Sequence, residues 1–498
     1  MSEAMIARAE ALMAQGRATE ALVLTEGLVA EARPTHMALA THAAALKAAG
    51  RREEAVAFNL EATKRFADSA VAWHNYAATL GDLGRAAEAL TACEAAFKRG
   101  LDAPETWSAY ARALQASGDL DRAEDAFRQA LMRSQGAPVV AAELANLVWM
   151  RGGDLAAAQA VLDAAFHQGG NPSALLLAKA TLFETAGEGS RAADLLETAS
   201  RRLPDDLAIL LGAAQSSLYL ERIAQADRYV TQARALDPDS RAVAQYGAIV
   251  DLASGRADSA LTRLRAALAN RPDDQSLWGW AATAARAMGD PLYAELCDYE
   301  AMVGVYDLAT PPGWPNLQAF LGDLSKTLND LHLYQQHPPN QSLRHGSQTL
   351  HLLTGSDAPA LRAFFAAIDA PIRQHMAKLG QGADPLRRRN TFDYRIQGAW
   401  SVRLRAGGFH QDHFHPEGWL SSAFYVETPD AALESADRQG WIRFGQPPFV
   451  TDPPLPPAHF VKPKPGRLVL FPSYLWHGTV PFTTDEARLT LAFDAVPK

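Results

Sequence analysis

Ala48-Ala-Gly-Arg-Arg-Glu-Glu-Ala-Val56 and Asp82-Leu-Gly-Arg-Ala-Ala-Glu-Ala-Leu90 carry one pattern twice, with Gly50 and Gly84 set 34 residues apart. The same interval reaches Gly16 before them and Gly118 after, and a one-residue slip at Gly152/Gly153 leads on to Gly187, Glu221, Gly255 and Gly289. Five residues beyond each mark stands an alanine: Ala21, Ala55, Ala89, Ala123, Ala158, Ala192, Ala226, Ala260 and Ala294. Glycine supplies the left-handed residue that closes one helix, and a small side chain lets the next helix approach closely. The spacing therefore predicts a solenoid of about nine stacked helical hairpins over residues 1–302. Pro104, Pro138 and Pro172, and again Pro204, Pro238 and Pro272, recur at the same interval, where a new helix starts. Within Ala70–Lys98 the residues Trp73, Tyr76, Ala77, Leu80, Leu83, Ala89, Ala92 and Phe97 fall mostly three and four apart, the spacing of one buried helical face. Glu221 replaces the glycine of the seventh unit, so a local irregularity is expected there.

The 498-residue chain is long enough for two or more domains, and its 48% hydrophobic and 21% charged residues argue against disorder. A net charge of −9 argues against a chain built to hold nucleic acid electrostatically. Residues 1–16 lack the apolar core and cleavage site of a secretory signal. No apolar stretch reaches the roughly 20 residues of a membrane span. Cys93 and Cys297 have no CxxC spacing. A soluble protein of the reducing cytoplasm is expected.

Asp307-Leu-Ala-Thr-Pro-Pro-Gly-Trp314 breaks the helical rhythm, and residues 303–315 read as a junction to a second domain over 316–498. Helices are expected at 316–333 and 358–379. Strands are expected at 400–404, 420–426, 441–444, 467–471 and 488–496, an all-β barrel or sandwich core with flanking helices. Residues 446–465 hold eight prolines, predicting a stiff extended excursion at the surface.

Three histidines crowd into Gly407-Gly-Phe-His-Gln-Asp-His-Phe-His-Pro416. On a strand, His413 and His415 would share one face and His410 and Asp412 the other, so either pair could chelate a metal. Downstream, the run Gly466–His477 reads as a buried strand ending on a histidine, and Arg488-Leu-Thr490 opens a final alternating strand. Two ligands two apart, a distant third and an arginine placed to grip an acid are the parts of an Fe(II) site with open positions.

The period, the small residues and the turns of residues 1–300 resemble the tetratricopeptide repeat family. That resemblance implies a right-handed superhelix holding a peptide or partner protein. The set His413, His415, His477, Arg488 and Thr490 resembles the 2-oxoglutarate- and Fe(II)-dependent oxygenases, whose pattern is HxD or HxE, a distal His, and an Arg about ten residues later. His413-Phe-His-Pro-Glu-Gly-Trp-Leu-Ser-Ser-Ala-Phe-Tyr-Val426 is similar to a bacterial branch in which HxHP precedes a strand.

The resemblance implies an α+β multidomain chain: an α-solenoid followed by a double-stranded β-helix, or jelly roll, with flanking helices. It also implies hydroxylation with Fe(II), 2-oxoglutarate and dioxygen. His413, His415 and His477 would hold the metal, and Arg488, Thr490, Tyr425 and Ser421 the cosubstrate, with no catalytic residue beyond these ligands. In the family a glycine stands six residues before the first ligand, as Gly407 does before His413, which puts His415 where a carboxylate is expected. His410 with Asp412 is the alternative first pair and restores the carboxylate. Two other functions fit the residues: a non-catalytic interaction protein with a degenerate barrel, and a cupin-type metal enzyme that does not use 2-oxoglutarate.

Overall fold

The computed structural model describes residues 2–14, 17–31, 34–350, 353–434 and 436–498, so Gly16, the first mark of the series, lies outside the described residues. The chain forms two compact units, Met1–Leu144 and Ala145–Lys498. In the first, helices pair as Ser2–Ala14 with Ala18–Val29, His36–Ala48 with Arg52–Arg65, Ala70–Asp82 with Ala86–Lys98, and Pro104–Ser117 with Leu120–Arg133. Gly50, Gly84 and Gly118 take φ of 77°, 74° and 86°, the left-handed conformation that ends a helix without a Cβ penalty. Ala21, Ala55, Ala89 and Ala123 are buried at the helix contacts.

The second unit continues the pattern. Its hairpins include Pro172–Thr185 with Gly189–Arg202, Leu207–Tyr219 with Ile223–Leu236, Arg241–Ala253 with Ala257–Asn270, and Gln275–Met288 with the short helix Leu292–Leu296. The irregularity expected at Glu221 does not occur. Glu221 itself takes φ of 57°, and the turn closes between two regular helices. The ninth hairpin departs instead: its second helix has only five residues and Ala294 is exposed, so the contact fixed by the other alanines is missing.

Among the described residues nine strands follow: β1 Gly304–Asp307, β2 Leu343–Gln348, β3 Tyr394–His410, β4 Leu420–Glu427, β5 Ile442–Phe444, β6 His459–Val461, β7 Arg467–Pro472, β8 His477–Thr479 and β9 Arg488–Pro497. They form a six-stranded sheet, β1-β7-β4-β9-β3-β2, and a three-stranded sheet, β6-β5-β8, with every pairing antiparallel. The sheets meet through Phe444 and Phe471, whose rings lie 5.1 Å apart. Along β9 the odd positions Leu489, Leu491, Phe493 and Ala495 join the core with Phe320 and Phe364 of the flanking helices. The even positions Arg488, Thr490 and Asp494 face the other way, into a cavity.

The expected helix over 358–379 is two, Pro359–Ala367 and Asp369–Leu379. The proline-rich excursion is not a free surface loop. Phe449 packs on Tyr219 at 4.7 Å, Asp452 N–H donates to Leu252 O at 2.9 Å, and β6 pairs with β5. Among the described residues no helix is long and apolar enough to cross a membrane.

Candidate metal centre

His413 and His415 do not sit within a strand as expected. β3 ends at His410, and His477 opens β8 after a turn rather than closing β7. A backbone bridge brings them together. His413 N–H donates to His477 O at 2.9 Å, His477 N–H donates to His413 O at 2.8 Å, and the two rings lie 4.2 Å apart. His415 N–H donates to Ser473 O at 2.9 Å, which turns its ring to within 5.0 Å of His477.

Each ring is oriented by what its Nδ1 meets: Gln411 O for His413 at 2.8 Å, Leu475 O for His477 at 3.0 Å, and Asp494 Oδ1 for His415 at 2.7 Å. An Nδ1–H donated outward leaves each Nε2 lone pair as the ligating atom, with Ser342 Oγ 3.2 Å from that of His413. Ligand atoms of the three residues lie within 4.8 Å of one another, the one such cluster among the described residues. His413 Nε2 and His415 Nε2 are 3.2 Å apart. Two nitrogens about 2.1 Å from one ion at a right angle would be about 3 Å apart. Burial and the neighbouring His415 push His413 down to about 3, and burial holds His477 well below the usual histidine range. Both stay in the neutral, ligating form.

Arg488 is buried beside this cluster, and its Nε and Nη1 meet no acceptor. Its guanidinium lies 5.1 Å from the centre of the Tyr425 ring, whose hydroxyl also lacks a partner. A buried cation with unsatisfied N–H groups is costly, and a carboxylate is its complement. Thr490 stands in register with Tyr425 across β9 and β4. Ser421 points elsewhere: its hydroxyl donates to Asp494 Oδ1 at 2.7 Å and meets Ser473 Oγ at 2.8 Å.

Asp412 and His410 are not gathered into the cluster. Arg443 of β5 takes both Asp412 oxygens, at 3.0 and 2.6 Å, and His410 Nδ1 meets Ser342 Oγ at 2.9 Å. Asp494, which the sequence reading did not place in the site, shares strand parity with Arg488 and Thr490, the one signal that points to it. Trp419 is core, donating to Leu386 O. Trp476 packs 4.7 Å from Trp280 and donates to Thr283 Oγ1, joining the site to the last repeat.

The three histidines, Arg488 and Thr490 line a cavity of about 1100 Å³. Residues of the helices Pro172–Thr185 and Leu207–Tyr219 line it too.

Residues 398–494 match the family model 2OG-FeII_Oxy_5, described as “Putative 2OG-Fe(II) oxygenase”. The matched segment contains every one of these site residues. No curated protein matches the chain. Similar solved structures include the APC/C hetero-tetramer Cut9-Hcn1 (17% identity, TM-score 0.32, 56% of this chain and 55% of that one). A tetratricopeptide repeat protein from Parabacteroides merdae is another (14%, 0.33, 50% and 98%), as is PilF of Pseudomonas aeruginosa (19%, 0.31, 42% and 94%). The chain thus spans about half the length of the first of these. The helical hairpins fit a tetratricopeptide array, and the C-terminal segment is similar to Fe(II) oxygenases.

Proposed function

We propose that residues 316–498 form a cytoplasmic 2-oxoglutarate- and Fe(II)-dependent hydroxylase domain, and that the helical array over 1–302, joined by residues 303–315, binds a protein or peptide partner. One observation carries this reading: a single cavity contains three imidazoles with inward Nε2 atoms and a buried guanidinium with two unmatched N–H groups. With dioxygen, bound Fe(II) and 2-oxoglutarate supply oxidative decarboxylation to succinate and carbon dioxide, one oxygen atom entering an acceptor C–H bond.

The chain's residues hold and orient the reactants. His413, His415 and His477 would hold Fe(II). Arg488 offers a fixed, permanently charged fork to the distal carboxylate, with Thr490 and Tyr425 adding hydroxyls beside it. Asp494 accepts the Nδ1–H of His415 and is itself held by Ser421. It thereby places a negative charge one hydrogen bond behind the ligand that stands where the family pattern has a carboxylate. Trp400, 5.5 Å from His415, and Phe471, 4.6 Å from His477, wall the centre with apolar rings.

The test is succinate formation from 2-oxoglutarate with Fe(II). His477→Ala is expected to abolish it, and Arg488→Ala to raise the 2-oxoglutarate concentration required at least tenfold. Undiminished succinate from His477→Ala would refute the ligand assignment.

A further inference from the structure

Part of the cavity lining comes from the repeats, and their period builds it. Thr181 and Gln215 are 34 residues apart, as are Thr185 and Tyr219, so equivalent positions on successive first helices stack side by side. A polar network crosses three of these helices. Ser216 donates to Glu184 at 2.5 Å, and Tyr246 donates to Gln215 at 2.5 Å.

Glu184 stands out within it. Ser216 is its one hydrogen-bond partner, and no ion pair satisfies its carboxylate among the described residues. The guanidinium of Arg344 is near enough to be felt but is committed to other acceptors: Gln341 O, Leu343 O and Gln411 Oε1. Of the other anions lining the cavity, Asp412 is matched by Arg443 and Asp494 by His415, while Glu417 is exposed to solvent rather than half-buried beside an aromatic ring. Beside Glu184, Tyr219 is 48% exposed although its ring packs on Phe449. A half-buried carboxylate without an ion pair, next to an accessible aromatic ring, is a receptor for an ammonium or guanidinium group.

Resting on the oxygenase reading above, we propose that the acceptor is a polypeptide segment bearing a basic side chain, which Glu184 and Tyr219 hold while a neighbouring residue reaches the histidine cluster. The volume suits several residues of extended chain, and the stacked equivalent positions offer a repeating polar track for its backbone. Burial pushes the Glu184 carboxyl up, against the opposing pull of Ser216 and the Arg344 charge; a bound basic group would further favour its ionised form.

The test pans a randomised decapeptide library on the full chain loaded with Mn(II), and on its Glu184→Gln and Glu184→Lys variants. Peptides retained by the unaltered protein are expected to be enriched in lysine or arginine at one position. Glu184→Gln should lose that enrichment, and Glu184→Lys should shift it to aspartate or glutamate, a result that misfolded protein cannot give. No basic enrichment on the unaltered protein, or the same enrichment on Glu184→Gln, would overturn the proposal. Acceptor-free succinate release by the unaltered protein, measured in parallel, separates this failure from failure of the oxygenase reading.

Discussion

Asp494 makes two short contacts, to His415 Nδ1 and to Ser421 Oγ, both at 2.7 Å. Carboxylates in this position fix the imidazole's tautomer and raise its basicity, and their loss typically weakens metal binding about 10–100-fold. Asp494→Asn keeps the shape and removes the charge, so a loss of that size is expected in chelator competition with Mn(II). An affinity equal to that of the unaltered protein would strip Asp494 of its role. The three histidines were legible in the sequence because imidazole pairs two apart with a distant partner are a rare pattern. The Asp494 contact was not, because it depends on how β9 pairs with β4. The parity argument for His410 and Asp412 fails for a local reason: β3 ends at His410, so alternation does not extend to Asp412, and Arg443 occupies its carboxylate.

At the scale of elements, the 34-residue period fixes both the turn and the helix contact, and each can be probed separately. Glu221 holds a left-handed conformation that costs a residue with a side chain about 1–2 kcal/mol. Glu221→Gly removes that cost but frees the unfolded chain, so a net gain of about 0.5–1 kcal/mol in urea unfolding is expected. Ala260 is fully buried between helices, and Ala260→Leu should destabilise by about 1–3 kcal/mol through overpacking. Ala294 occupies the same place in the period but is exposed, so Ala294→Leu should stay within about 0.5 kcal/mol of the unaltered protein. Equal effects at both positions would contradict the contact assigned to the period. The helical hairpins were readable because a repeat states each contact many times. The short strands β1, β2, β6 and β8 were not: three to six residues carry too little alternation, and only their partners in the sheets make them strands.

Across the whole molecule, several histidines outside the candidate site are buried. Burial holds His332 down to about 3, and His337 and His375 down to about 4. In the unfolded chain each would titrate near 6.5. Between pH 6.5 and about 4 the unfolded state takes up protons that the folded state refuses, so stability is complete above this window and falls as pH drops through it. The urea midpoint of the second unit is expected to fall steadily from pH 7 to pH 5; a constant midpoint would mean these rings are not held neutral. Trp476 shows why the packing of the site against the last repeat was invisible in the sequence: its partners Trp280 and Thr283 lie almost 200 residues away. The central claim is that His413, His415 and His477 hold one metal ion. Protein loaded with Fe(II) without oxygen, desalted and assayed for iron should retain close to one ion per chain, and the His413→Ala/His477→Ala double variant close to none. Retention by the double variant equal to that of the unaltered protein, or none by either, would contradict it.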